Sequence, residues 1–338
     1  MADDAAVAAV ATNRDVPDGP PSPFQDCRDV VHLSVFFDGT GNNWENDAAT
    51  KSWSNVGRMY DAAIKDDAKA TYAVYVAGVG TRFNGTATGW LDSTGIWLQD
   101  NLGGLAFGAG GDRRLGHGDD MVNERLKALL IANAQAAGGE LANYAKTATA
   151  KGFADVNKAL SKHRLIKTIT MSLFGFSRGA ALSRAFSNRV ISQSEQRGDN
   201  LYFHSYPLRM QFMGVFDTVA SFGVPSTNAR LPFQERDLIV SPRIERCVHY
   251  VAAHEVRFAF PVDLIRKNGK LAGAWEEKVY PGVHSDVGGG YGPDDQSISD
   301  NYARIPMRDM MRESVVSGVR MRSYDEIEAW REGLFNER

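Results

Sequence analysis

A serine stands between two glycines, Gly175-Phe176-Ser177-Arg178-Gly179. An apolar run over residues 165–174 gives way there to small and apolar residues at helical spacing, Ala180, Ala181, Leu182, Ala185 and Phe186. A strand, a sharp turn and a helix are therefore expected, with Ser177 at the apex. A serine held on such an elbow is a nucleophile. Both Gly175 and Gly179 are needed, because any side chain there would collide with the neighbouring strand or helix.

A serine hydroxyl attacks only when a base takes its proton, and the base needs an acid to fix its tautomer and stabilise the imidazolium. On a strand-to-helix elbow the expected chain order is serine, acid, histidine. Asp217 ends the apolar run at 210–216, and His284 follows in the glycine-dense stretch Pro281-Gly282-Val283-His284-Ser285-Asp286-Val287-Gly288-Gly289-Gly290-Tyr291, which can fold back over the elbow. Asp286 is an alternative acid or a support, but so near a neighbour rarely reaches round to the far nitrogen of the same ring. Asp217 is preferred. Of the competing bases, His249 and His254 fall on an expected helix among apolar residues and read as satisfied histidines, and His204 sits in a connector near Pro207. A histidine base implies activity lost at acid pH.

The oxyanion of the tetrahedral intermediate needs two donors. One is expected from the backbone N–H of Arg178, just after the nucleophile, and the other from the loop after an earlier strand. Asp38-Gly39-Thr40-Gly41 is that loop, with Gly39 or Thr40 as the donor. Asp38 can cap the following segment or anchor Arg178.

These residues require a sheet to carry them. Strands are expected over 29–37, 71–79, 165–174, 210–216 and 277–280. Helices are expected over 56–68, 119–162 with breaks at Gly138-Gly139 and Gly152, after the elbow, over 243–258, and over 306–316 and 324–335. Alternating strands and helices give an α/β fold with a mostly parallel sheet flanked by helices. Residues 82–118 scatter ten glycines among Trp90, Trp97, Leu105 and other apolar residues without a clean period. This Gly-rich apolar insertion reads either as a lid or as a loop packed on the core. Residues 1–28, rich in Pro, Asp and Ala, read as a flexible N-terminal arm, leaving 29–338 as one domain.

Bulk properties narrow the function. The 338 residues are 43% apolar and carry a net charge of −3 without a basic cluster interleaved with aromatics, so nucleic acid is not an expected partner. Cys27 and Cys247 lack metal-ligand spacing, so no disulfide framework, metal or cofactor is expected. The start, Met-Ala-Asp-Asp, lacks the basic opening of a signal peptide, and no run is long enough to span a membrane. Other chemistries fit worse. Phe37-Asp38-Gly39-Thr40 shares the end of the haloacid-dehalogenase motif, but that motif's nucleophile would fall on Phe36. His254-Glu255 lacks the second histidine of a zincin, and Asp294-Asp295 lacks the spacing of a calcium hand.

Four blocks, Phe36-Phe37-Asp38-Gly39-Thr40-Gly41-Asn42, Gly175-Phe176-Ser177-Arg178-Gly179-Ala180, Phe216-Asp217-Thr218-Val219 and Pro281 to Tyr291, stand together in the order of an α/β-hydrolase family that includes phospholipase effectors of bacterial type VI secretion. The chain resembles that family. The resemblance implies Ser177, Asp217 and His284 as a triad and a phospholipid ester as substrate, with peripheral membrane contact. It also implies a secretion spike protein and an immunity protein as partners. The protein would be cytoplasmic in the producer and delivered, without a signal peptide, to the target-cell periplasm. An intracellular carboxylesterase with another substrate and a catalytically idle binding module are the alternative readings.

Overall fold

The computed structural model describes residues 29–81, 105–220, 238–257, 261–292 and 302–328, and of 105–110 the backbone alone. The chain runs β1 (Asp29–Phe37), α1 (Asn55–Ala62), β2 (Thr71–Val76), α2 (Leu105–Ala137), α3 (Gly139–Ala148), α4 (Phe153–Leu160), β3 (Ile166–Phe176) and α5 (Arg178–Gln193). It continues with β4 (Glu195–Arg197), β5 (Asn200–Phe203), β6 (Tyr206–Phe216), β7 (Ile244–Ala252), β8 (Glu276–Tyr280), α6 (His284–Gly288), α7 (Arg304–Val316) and α8 (Tyr324–Glu328).

Six strands form a parallel sheet in the order β2-β1-β3-β6-β7-β8. The short β4 and β5 add antiparallel to the first residues of β6. The α/β class and the mostly parallel sheet expected from the sequence are thus observed. Helices cover both faces, and successive residues of one strand serve opposite cores. Val35 and Phe37 face the core shared with α2 and α5, while Phe36 packs in the second core with Val56, Met59, Met307 and Met310. Burial on both faces explains why these strands read as continuous apolar runs rather than alternating ones.

That same property misleads at 243–258, where a helix is expected and β7 is found. Ile244, Cys247, Val248, His249, Tyr250 and Val251 are all buried. A strand covered on both faces shows no period of two, so periodicity cannot separate it from a buried helix. The insertion at 82–118 is also corrected in part. Residues 82–104 lie outside the described residues, as does the arm at 1–28, but 105–118 form the first turns of α2. Gly118 lets this helix approach its neighbours. A Cβ on Gly118 would stand 3.2 Å from the Phe186 ring and 3.4 Å from that of Phe37. No described helix is long and apolar enough to cross a membrane.

Candidate active site

β3 and α5 meet at Ser177, which is 3% exposed and has φ +57° and ψ −126°. A non-glycine residue at positive φ is strained, and such strain collects where a side chain must be presented. The surroundings leave Ser177 no other course. Its N–H donates to Phe216 O at 3.0 Å, and its carbonyl accepts from the N–H groups of Ala180, Ala181 and Val219. A Cβ on Gly175 would lie 2.5 Å from Ala180 Cα, and one on Gly179 would lie 2.3 Å from the carbonyl oxygens of Phe37 and Asp38. The glycines therefore permit the contact of α5 with β3 and β1 that creates the turn.

Asp217 stands one residue past β6, at φ +37°, beside the elbow. Its N–H donates to Tyr250 O at 2.7 Å, and its Oδ1 accepts from the Ala252 N–H at 2.9 Å. Oδ2 lies 2.6 Å from Nδ1 of His284. The carboxylate thus takes one edge of the imidazole and leaves Nε2 as the nitrogen turned away from it. The ring is nearly buried and packs on Phe176, the residue before Ser177, with centroids 4.6 Å apart. Asp217 and His284 are in direct contact, and both are tied to the turn that carries Ser177.

The glycine-dense stretch is less of a loop than expected, since His284 opens the one-turn helix α6. Asp286 does not reach the histidine ring's acid partner position. Its Oδ2 accepts the Val283 N–H at 2.7 Å and closes the turn before α6. Two residues after β7 brace the same turn. Glu255 accepts the His284 N–H at 3.2 Å, and His254 Nδ1 accepts the Gly282 N–H at 3.0 Å. Bidentate donation from Arg257, joined by the N–H groups of Arg257 and His284, holds the Glu255 carboxyl at a pKa of about 2 against the opposing effect of burial. His204 lies on the β5–β6 turn, at the opposite end of β6 from Asp217, which removes it as a base.

The loop after β1 packs against the elbow through Asp38 and Gly39. Asp38 is 2% exposed and accepts three hydrogen bonds: from Ser54 Oγ at 2.5 Å, from the Tyr75 hydroxyl, and from the Gly39 N–H at 2.7 Å. Burial pushes its pKa up to about 6 despite these donors. Asp38 therefore braces the loop, and no bond joins it to Arg178 among those described. The two alternatives for the second oxyanion donor now differ. The Gly39 N–H donates to the Asp38 carboxylate, a bond with which an oxyanion would have to compete. Thr40 has a buried Oγ1 with no hydrogen-bond partner among the described residues, and its N–H donates to none of them. Arg178 begins α5, where N–H groups point out of the helix end. Burial lowers its guanidinium to about 10. Sequence reasoning missed Ser54, Tyr75 and Glu255. The one faint signal was Tyr75, a hydroxyl near the carboxyl end of an otherwise apolar strand. Among the described residues, no group of three or more His, Cys, Asp and Glu could hold a metal ion.

With this geometry in hand, residues 187–313 match the family model of the type VI secretion system phospholipase effector, Tle1-like, catalytic domain. The match includes Asp217 and His284 and begins after Ser177. No curated protein matches the chain. An uncharacterised protein from Pseudomonas aeruginosa, solved by crystallography, has the same fold, with a TM-score of 0.67 at 24% identity over 87% of this chain and 47% of its own. The Tle1 effector bound to the VgrG spike of the type 6 secretion system aligns with a TM-score of 0.46 and 22% identity, over 84% of this chain and 56% of its own. The chain spans about half the length of these two structures. The resemblance read from the four sequence blocks is borne out: the chain carries a match to the catalytic domain of Tle1-like type VI secretion phospholipase effectors, on an α/β fold shared with a solved bacterial protein.

Proposed function

We propose that the protein is a serine hydrolase that cleaves acyl esters of glycerophospholipids and acts as an antibacterial type VI secretion effector. The observation that carries this reading is the 2.6 Å contact of His284 Nδ1 with Asp217 Oδ2, held by backbone bonds against the strained elbow of Ser177. In the proposed reaction, Ser177 Oγ attacks the acyl carbonyl and its proton passes to His284 Nε2. Asp217 accepts the Nδ1–H and stabilises the imidazolium. The N–H of Arg178 and the N–H and hydroxyl of Thr40 receive the oxyanion. Collapse of the tetrahedral intermediate expels the lysophospholipid alkoxide, which takes the proton from Nε2. Water then enters by the same route in reverse, and the acyl-enzyme releases a fatty acid.

The family match supports phospholipid as the substrate class, and with it contact with a membrane surface. Delivery on a secretion spike, action in the target-cell periplasm and neutralisation by an immunity protein in the producer belong to the same reading. A fluorophosphonate probe tests the chemistry. Wild-type protein should be labelled on Ser177, and Ser177→Ala should not react. An unlabelled wild type would favour an idle binding module.

A further inference from the structure

His249 sits in β7 with no exposed surface, one strand away from Asp217, and both of its ring nitrogens are engaged. Nε2 accepts the N–H of Thr218 at 3.1 Å. Because a backbone N–H can only donate, that bond puts the imidazole proton on Nδ1, which faces Glu277 Oε2 at 3.1 Å. Glu277, on β8 with its side chain 2% exposed, is itself held by the Ile265 N–H at 2.9 Å and by Arg266 Nε at 2.5 Å. A chain of bonds therefore runs from Arg266 through Glu277 and His249 to the peptide that follows Asp217.

That peptide is the one whose orientation sets the Asp217 carboxylate. Asp217 has φ +37°, a conformation a non-glycine residue keeps only when its surroundings over-determine it. Thr218 is fully buried, so without His249 its N–H would have no water to turn to. The Thr218 carbonyl is fixed on the other side by the Asp263 N–H at 2.8 Å. We infer that His249 and Glu277 form a positioning pair that clamps the Asp217–Thr218 peptide and so aims the Asp217 carboxylate at His284. The pair touches no substrate, and its effect is exerted through Asp217. This inference rests on the proposed role of Asp217 and His284.

The test measures kcat and KM for hydrolysis of p-nitrophenyl butyrate, beside thermal melting of each variant. His249→Asn keeps a polar atom toward Glu277 and loses the acceptor for Thr218, whereas His249→Gln keeps an acceptor at the Nε2 position. His249→Asn should lose about tenfold to hundredfold in kcat with KM unchanged, and His249→Gln should recover most of that loss. In an Asp217→Asn background, His249→Asn should cost less than about threefold more, because the group it aims is already disabled. Wild-type kcat in His249→Asn, or the same loss in both backgrounds, overturns the inference. Should His249→Asn not fold, Glu277→Gln slackens the pair from its far end and carries the same cycle with the same criteria. Full activity in a parallel Ser177→Ala sample would instead overturn the reading of the site itself.

Discussion

His284 Nδ1 and Asp217 Oδ2 meet at 2.6 Å across 67 residues of sequence. Neither residue owes its position to its own element alone. Asp217 is tied to β7 through Tyr250 and Ala252, and His284 is tied to the segment after β7 through Glu255. β7 is thus the element that registers Asp217 against His284, and the consequences can be measured.

Thr40 carries a buried hydroxyl that bonds to none of the described residues. A buried unsatisfied hydroxyl costs stability, on the order of 1 kcal/mol, so Thr40→Val should melt at the same or a higher temperature than wild type. If the hydroxyl receives the oxyanion, kcat should fall at least about tenfold in the same variant. Calorimetry and steady-state kinetics on one preparation check both halves.

Gly179 has no room for a methyl group, since its Cβ would lie 2.3 Å from two backbone oxygens. Backbone cannot step aside as a side chain can. Gly179→Ala should therefore destabilise by roughly 1–3 kcal/mol and displace the elbow, with loss of fluorophosphonate labelling out of proportion to the fall in melting temperature.

Glu277 has its pKa lowered to about 2: burial acts to raise it, but the hydrogen bonds from His249, the Ile265 N–H and Arg266 outweigh that effect. A carboxyl that is more acidic folded than unfolded contributes stability above its unfolded pKa, and loses it as pH falls through the folded value. Urea unfolding should find Glu277→Gln less stable than wild type at pH 7 by on the order of 3 kcal/mol at most. The gap should narrow between about pH 4.5 and about pH 2. A gap independent of pH would contradict the charge assignment.

The sequence made the elbow serine, and the Asp217–His284 pair that converges beside it, legible for a physical reason. The elbow needs glycines that nothing else can replace, and an acid or base at a strand's carboxyl end leaves an apolar run followed by one polar residue, as at Phe216-Asp217. The long parallel strands were legible too, apart from β7. Burial of β7 on both faces erased its period, and the error hid His249, which reads as an inert helical histidine when its strand is misassigned. Asp38 stood out in the sequence, but the partners that hold it, Ser54 and Tyr75, lie on separate elements. Their convergence depends on tertiary packing that no local pattern encodes. The same holds for Glu255, whose role follows from its bond to the His284 N–H. The glycines of 105–118 looked like a loop, whereas this stretch is helical, with Gly111 against Leu182 and Gly118 against Phe37 and Phe186.

The central claim is hydrolysis of phospholipid acyl esters by Ser177, and mass spectrometry of the products from vesicles of one defined phosphatidylethanolamine tests it most directly. Wild-type protein should release a lysophospholipid and a free fatty acid in equal amounts, and Ser177→Ala, folded as judged by its melting curve, should release neither. Release of a headgroup without fatty acid, or undiminished fatty acid release by Ser177→Ala, would contradict it.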